Sequence, residues 1–244
     1  MARTKKETDT KLVPADLPEL LADEPVFIPY WSRRVRMRFT EEVLGTAPNN
    51  QQLHRDYIAS KAPDAALAEE EIDAIGVDAY TEKGMTVFPR DKDGNPFVYD
   101  YQMKGFFKES CKALKKKPGT YCAGIKAYKS EIDLNLFVYP RIIPLNLPDG
   151  AEVGRCQRPL RASTPMGERI ALSDSETVPA GTWMEIEIRA YTDSMGKLAM
   201  ETLAFGREHG FGQWRNSGKG RFDYELLSKW VLIDSAEKEQ ANMR

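Results

Sequence analysis

Histidine and cysteine are scarce in this chain of 244 residues: there are two histidines, His54 and His209, and three cysteines, Cys111, Cys122 and Cys156, with no Cys-x-x-Cys pair. Structural zinc sites and disulfide frameworks draw on richer sets than this, so the sequence predicts no metal, no cofactor and three reduced thiols. Also absent is any apolar run near the ~20 residues that span a bilayer, and the opening MARTKKETDTK is polar with no apolar signal core. No membrane partner and a cytoplasmic location are therefore expected. A net charge of −2 excludes a uniformly basic nucleic-acid binder, and 41% hydrophobic with 10% aromatic residues excludes a disordered chain. At roughly 100–200 residues per domain, the length fits one large domain or two small ones.

The near-zero net charge conceals segregation. Residues 104–129 hold eight lysines and one acid, Glu109, whereas residues 64–82 hold seven acids and no base. Arg33, Arg34, Arg36 and Arg38 form a second basic run, and Arg207, Arg215, Lys219 and Arg221 a third. Gathered on one face, such charges would hold phosphates; taken singly, each is a solvated helix or strand face. Arg34, Arg36, Arg38, Lys104 and Lys108 are the candidates from the first two basic stretches.

Hydropathy patterning predicts the elements. Residues 1–24, rich in charge and proline, are expected to form a flexible arm. In RRVRMRF, Val35, Met37 and Phe39 alternate with arginines, the period of a strand with one buried face. Residues 53–82 are expected to form an inserted acidic helical lobe, and residues 86–88 a short strand. The DKDGNPF turn leads into a basic amphipathic helix over residues 103–116, where Met103, Phe106, Phe107, Cys111 and Leu114 recur at three and four residues. Alternation at Ile132, Leu134, Leu136 and Val138 predicts a strand over 132–138. Residues 141–180 read as a long loop or a hairpin of irregular strands. Strands at 183–188 and 221–226 flank a helix over 197–205, and residues 233–244 should fray as a tail. The order predicts an α+β fold, a ferredoxin-like or RRM-like antiparallel sheet with helices on one face, as a single domain over residues 25–232.

Residues 210–220 read GFGQWRNSGKG, two Gly-x-Gly pairs separated by five residues. Gly210, Gly212, Gly218 and Gly220 allow positive φ and close backbone approach, the means by which glycine loops cradle phosphate oxygens. Trp214 offers a stacking surface for a base, Arg215 and Ser217 offer donors, and Lys219 and Arg221 add charge. The spacing matches neither the dinucleotide fingerprint nor a P-loop. Alternatively, the loop merely turns the chain into its last strand.

This double Gly-x-Gly pattern before the last strand resembles the glycine-rich loop of the RAMP superfamily, the RRM-like RNA-binding proteins of CRISPR effector complexes. DGNPFVYDYQMKGFFKES is similar to that family's proline-to-lysine-glycine segment opening the first helix, and ERIALSDSETVPAGTWMEIEI to its segment ending in Val-Pro-Ala-Gly before a strand. The order and spacing look most like the repeating backbone subunit of type III complexes. Tyr99-Asp100-Tyr101-Gln102 departs from the small-residue run usual before Leu-Lys-Gly, as in a divergent member carried by a virus or mobile element. The resemblance implies single-stranded RNA as partner, held by backbone contacts and stacking, with copies of the chain joined head to tail and other effector subunits beside them. The acidic segment and the basic helix could meet between neighbouring copies.

Cleaving members of the superfamily use a histidine or a loop aspartate, which makes His54 and Asp56 the candidates for an endoribonuclease; His209, beside the glycine loop, is expected to contact RNA or pack locally. The ordinary reading is a helix-start residue making a backbone hydrogen bond for His54 and a cap or surface charge for Asp56. A virus-encoded structural or assembly protein is the remaining alternative. A small-molecule enzyme would need a convergent acid, base or nucleophile set, and none is evident.

Overall fold

A computed structural model describes residues 27–48, 85–164 and 167–242. The expected arm over 1–24 and the whole of the expected acidic lobe over 53–82, with His54 and Asp56, lie outside the described residues. Among the described residues, twelve strands and five α-helices follow in chain order: β1 (Tyr30–Phe39), β2 (Val43–Leu44), β3 (Ala47–Pro48), β4 (Met85–Val87), β5 (Phe97–Tyr99), α1 (Asp100–Leu114), α2 (Tyr121–Gly124), α3 (Tyr128–Asn135), β6 (Leu136–Tyr139), β7 (Ile142–Pro144), β8 (Gly154–Thr164), β9 (Gly167–Val178), β10 (Trp183–Ala190), α4 (Asp193–His209), β11 (Phe222–Leu226), β12 (Val231–Ile233) and α5 (Ala236–Asn242).

The main sheet has the order β11-β1-β10-β6, with β12 also on β1 and every pairing antiparallel. With α1 between β1 and β6 and α4 between β10 and β11, this is the β-α-β-β-α-β path of a ferredoxin-like fold. Val35, Met37 and Phe39 of β1 and Met184, Ile186 and Ile188 of β10 project to one side and are buried with Met103, Phe106, Phe107 and Leu114 of α1 and Leu198, Ala199 and Leu203 of α4. Both helices thus cover one face, each large apolar side chain contributing about 1.5–3 kcal/mol. Gly206 lets α4 come close, since a Cβ there would stand 2.4 Å from Phe106 Cζ and 2.6 Å from Phe222 Cζ.

A second sheet, β2-β9-β4-β3, carries the long ribbon β8–β9, which runs between Gly154 and Val178 within the stretch expected as a loop or hairpin; its β4–β9 pairing is parallel, unlike the rest. The Val-Pro-Ala-Gly turn returns β9 to the main sheet, with Gly181 N–H on the Phe39 carbonyl at 2.7 Å.

Two expectations need correction. The strand expected over 132–138 is half helix: α3 runs through Asn135 and only Leu136 begins β6. Ile132 and Leu136, four apart, are buried while Leu134 is 66% exposed, so the operative period is helical. The tail expected over 233–244 holds instead the end of β12 and α5. Glu239 of α5 accepts hydrogen bonds from the Tyr30 hydroxyl at 2.8 Å and Arg189 Nη1 at 2.7 Å. Arg189 also donates through Nε to Glu187 at 2.8 Å, and its guanidinium lies 4.1 Å from the Tyr139 ring centroid.

Candidate nucleic-acid interface

The glycine loop leaves α4 at Gly210 and enters β11 after Arg221. Gly210, Gly212, Gly218 and Gly220 all have φ between 73° and 84°, and Trp214 is itself left-handed at φ 55°. The four glycines differ in what demands them. A Cβ on Gly220 would fall 1.9 Å from the Phe211 carbonyl oxygen, and one on Gly210 2.5 Å from that of Lys219, so these two close the neck of the loop. Gly212 has 3.3 Å to the Leu44 carbonyl, and Gly218 has nothing nearer than 3.8 Å. Phe211 N–H donates to Gly220 at 2.8 Å across the neck, and Gly220 N–H donates to Glu42 at 2.8 Å.

At the tip, the N–H groups of Gly212, Gln213 and Trp214 take no acceptor among the described residues. Successive amides without an acceptor among the described residues, with positive-φ residues among them, are the kind of run from which anion-binding nests are built. The Gln213 side chain anchors this run, donating 2.8 Å to the Gly45 carbonyl. Beside it opens a cleft of about 330 Å³ whose lining includes Tyr101, Gly105 and Glu109 of α1 and Phe211, Gly212 and Arg215 of the loop. Gly105 of the Lys-Gly segment and the glycine loop therefore meet at one place, although more than a hundred residues separate them. The unusual Tyr99-Asp100-Tyr101-Gln102 run is accommodated by burying Tyr99 and stacking Tyr101 on it at 5.4 Å. Gln102 accepts from Tyr99 N–H at 2.7 Å, which caps α1.

Most of the basic residues singled out above have carboxylate partners. Arg215 forks onto both oxygens of Glu109, and Lys219 reaches Glu42 at 3.1 Å. Arg221 donates to the Glu208 carbonyl at 3.2 Å. On the sheet face turned away from the helices, Arg36 pairs with Glu185 at 2.6 Å and with Glu225 at 3.7 Å, and Arg34 with Glu185 at 3.4 Å. Arg38 has no ion pair among the described residues. Lys104 lies 4.0 Å over the Phe137 ring with its pKa lowered by burial, and Lys108 pairs with Asp133 at 2.5 Å. The candidates thus occupy separate places: the loop, the open sheet face, and the α1 flank against α3.

His209 stacks on Phe205 at 5.0 Å, and its Nε2 is buried 3.9 Å from Glu109, beyond hydrogen-bond reach. Burial and the nearby Arg215 charge lower its pKa. In the window between that value and the unfolded one of about 6.5 the unfolded chain binds the extra proton, so stability rises with pH and is lost on acidification. Thermal melts from pH 7.5 to 5 should accordingly show a steeper fall for the wild type than for His209→Gln. Equal slopes would remove the claim. Among the described residues no group of three His, Cys, Asp or Glu side chains could hold a metal ion, and no helix is long and apolar enough to cross a membrane.

No known-family model and no curated protein matches the chain. A chain in the cryo-electron-microscopy structure of the type III-B Cmr-beta bound to cognate target RNA aligns with a TM-score of 0.45 and 12% identity, over 89% of this chain and 64% of that one. This chain therefore spans less than two thirds of that neighbour's length.

Proposed function

We propose that the protein binds single-stranded RNA at the glycine loop, as an RNA-coating subunit of a CRISPR-like ribonucleoprotein in which copies follow one another along the strand. The observation that carries this is the run of unpaired amides at Gly212, Gln213 and Trp214 beside the cleft where the loop meets Gly105 of α1. Free backbone donors recognise phosphate without reading base identity, and an aromatic surface accepts any base, so recognition there is independent of sequence. A splayed single strand offers both groups, whereas duplex DNA hides its base faces. Because Arg215 and Lys219 are already paired, the amides are the primary donors and those side chains support the loop.

Gly212 and Gly218 are the positions at which added Cβ atoms test this reading, because neither meets backbone closer than 3.3 Å. Gly212→Ala with Gly218→Ala should cost folding about 1 kcal/mol per site from backbone strain. The same double variant should bind single-stranded RNA roughly tenfold or more weakly, as expected for lost charge-assisted hydrogen bonds. Filter binding at ~50 mM salt, where phosphate contacts are strongest, measures this per folded molecule. Unchanged affinity would leave the loop as a chain reversal only.

A further inference from the structure

Arg158 belongs to none of the motifs above, yet its surroundings are unlike those of any other arginine described. It stands on β8 opposite Ser173 of β9, on the same side of the ribbon as Cys156 and Ser175. Arg155 and Gln157, on the other side, both reach Asp174, at 2.9 Å and 3.2 Å. Acceptors on that side of the ribbon are thus taken by other residues. The Arg158 guanidinium carbon lies over the Trp214 indole, 4.5 Å from the ring centroid. Its Nε and Nη1 are shut off from solvent with no hydrogen-bond partner among the described residues, whereas Nη2 is not closed off in this way.

Guanidinium cannot shed its charge within the range of protein pKa values, so it has no titration by which to escape burial. Donors buried without acceptors are costly, more so when charged, and such a group is retained where an acceptor arrives from outside. Stacking on the indole uses the face of the guanidinium and leaves its edges as donors. Nη2 belongs to both two-pronged edges of the guanidinium, one shared with Nε and one with Nη1. Trp214 also ends the run of free amides, so one tryptophan joins the cationic edge to the amide surface.

We infer that Arg158, pinned on Trp214, is a receptor for a phosphodiester group of the bound strand, making the β8–β9 ribbon the second wall of the RNA site. The inference rests on the RNA-binding reading and names a residue and a ligand group within that site. The phosphate accepts from two nitrogens of Arg158 while the adjoining backbone phosphate or base is held by the loop.

The test uses the full chain and the variants Arg158→Gln and Arg158→Lys, with an oligouridylate as RNA probe and inorganic phosphate as a second, RNA-independent probe read by thermal shift. Arg158→Gln should bind oligouridylate about tenfold more weakly, and its dependence of log affinity on log salt should be shallower by about one contact. Arg158→Lys should restore the salt slope without restoring the affinity, since it keeps the charge and loses the planar edge. Phosphate should raise the melting temperature of the wild type and not that of Arg158→Gln. Without ligand, Arg158→Gln should melt no lower than the wild type, because it removes donors that lack partners; a clear fall would mean that Arg158 serves the fold and would overturn the inference. Wild-type RNA affinity and salt slope in Arg158→Gln would overturn it too, leaving the RNA-binding reading intact. If the wild type binds no RNA, the functional reading fails, and the phosphate shift then decides the inference: loss in Arg158→Gln supports an anion receptor, and no shift or an equal one refutes it.

Discussion

Gly220→Ala is expected to destabilise the protein by roughly 2–5 kcal/mol, the sum of overpacking and left-handed backbone strain. Its Cβ would overlap the Phe211 carbonyl oxygen at 1.9 Å, inside the pair of segments joined by the Phe211 N–H to Gly220 hydrogen bond. Backbone surrounds the position, so no side chain can rotate away to make room. Gly218→Ala has the same sign of φ and open space around it, so it should cost only about 1 kcal/mol. Urea denaturation of the two single variants measures the contrast, and equal losses would show that the neck is not closed as described. RNA affinity in Gly220→Ala should fall together with the folded fraction, which is why that position cannot report on ligand contact while Gly212 and Gly218 can.

Arg189→Ala should be comparably severe. The guanidinium is 8% exposed and holds Glu187 on its own strand and Glu239 on α5, with Ser32 also donating to Glu187 at 2.8 Å. Removing it leaves two partly buried carboxylates facing each other without a cation, an arrangement that costs about 3–5 kcal/mol. For a chain of this size that corresponds to a fall in Tm of about 10 °C. Adding Glu239→Gln to Arg189→Ala should recover part of the loss, because it removes one of the stranded charges; the two changes are coupled and should not be additive. A loss below about 1 kcal/mol in the single variant, the range of an exposed pair, would show that α5 is not clamped to the sheet through this residue.

Local periodicity revealed those parts of the fold where one period operates alone. The alternation of β1, the three-and-four spacing of α1 and the alternation of β10 each match the structure because their buried sets are unambiguous. At residues 132–138 two periods overlap: Ile132, Leu134, Leu136 and Val138 satisfy alternation, while Ile132 and Leu136 alone satisfy the helix. The switch from helix to strand falls after Asn135, whose carbonyl accepts from the Tyr191 N–H at 2.9 Å, a contact 56 residues away in the chain. The loop was legible as a loop, but the reasons for its glycines were not, since Gly210 and Gly220 answer to contacts within the neck. Charge was the least legible feature. Arg36 and Glu185 are 149 residues apart and meet through strand register, as do Arg215 and Glu109 through the docking of the loop on α1. Arg158 carried no local signal, because what sets it apart is the lack of an acceptor for Nε and Nη1 among the described residues.

The pairing of arginines with glutamates across β1, β10 and β11 bears on how fast a polyanion arrives. Rapid electrostatic steering requires an unbalanced field that extends over a Debye length, about 10 Å at 0.1 M salt. On the open face of the main sheet Arg34 and Arg36 are offset by Glu185 and Glu225 a few ångströms away, so their fields cancel within that distance. On the proposed RNA-binding reading, Arg38, which has no ion pair among the described residues, is then the arginine of that face left to attract an approaching strand at close range. The strand's encounter rate should sit near the unsteered range of about 10⁵–10⁶ M⁻¹s⁻¹, and differences in affinity among RNAs or variants should reside in how long each complex lasts.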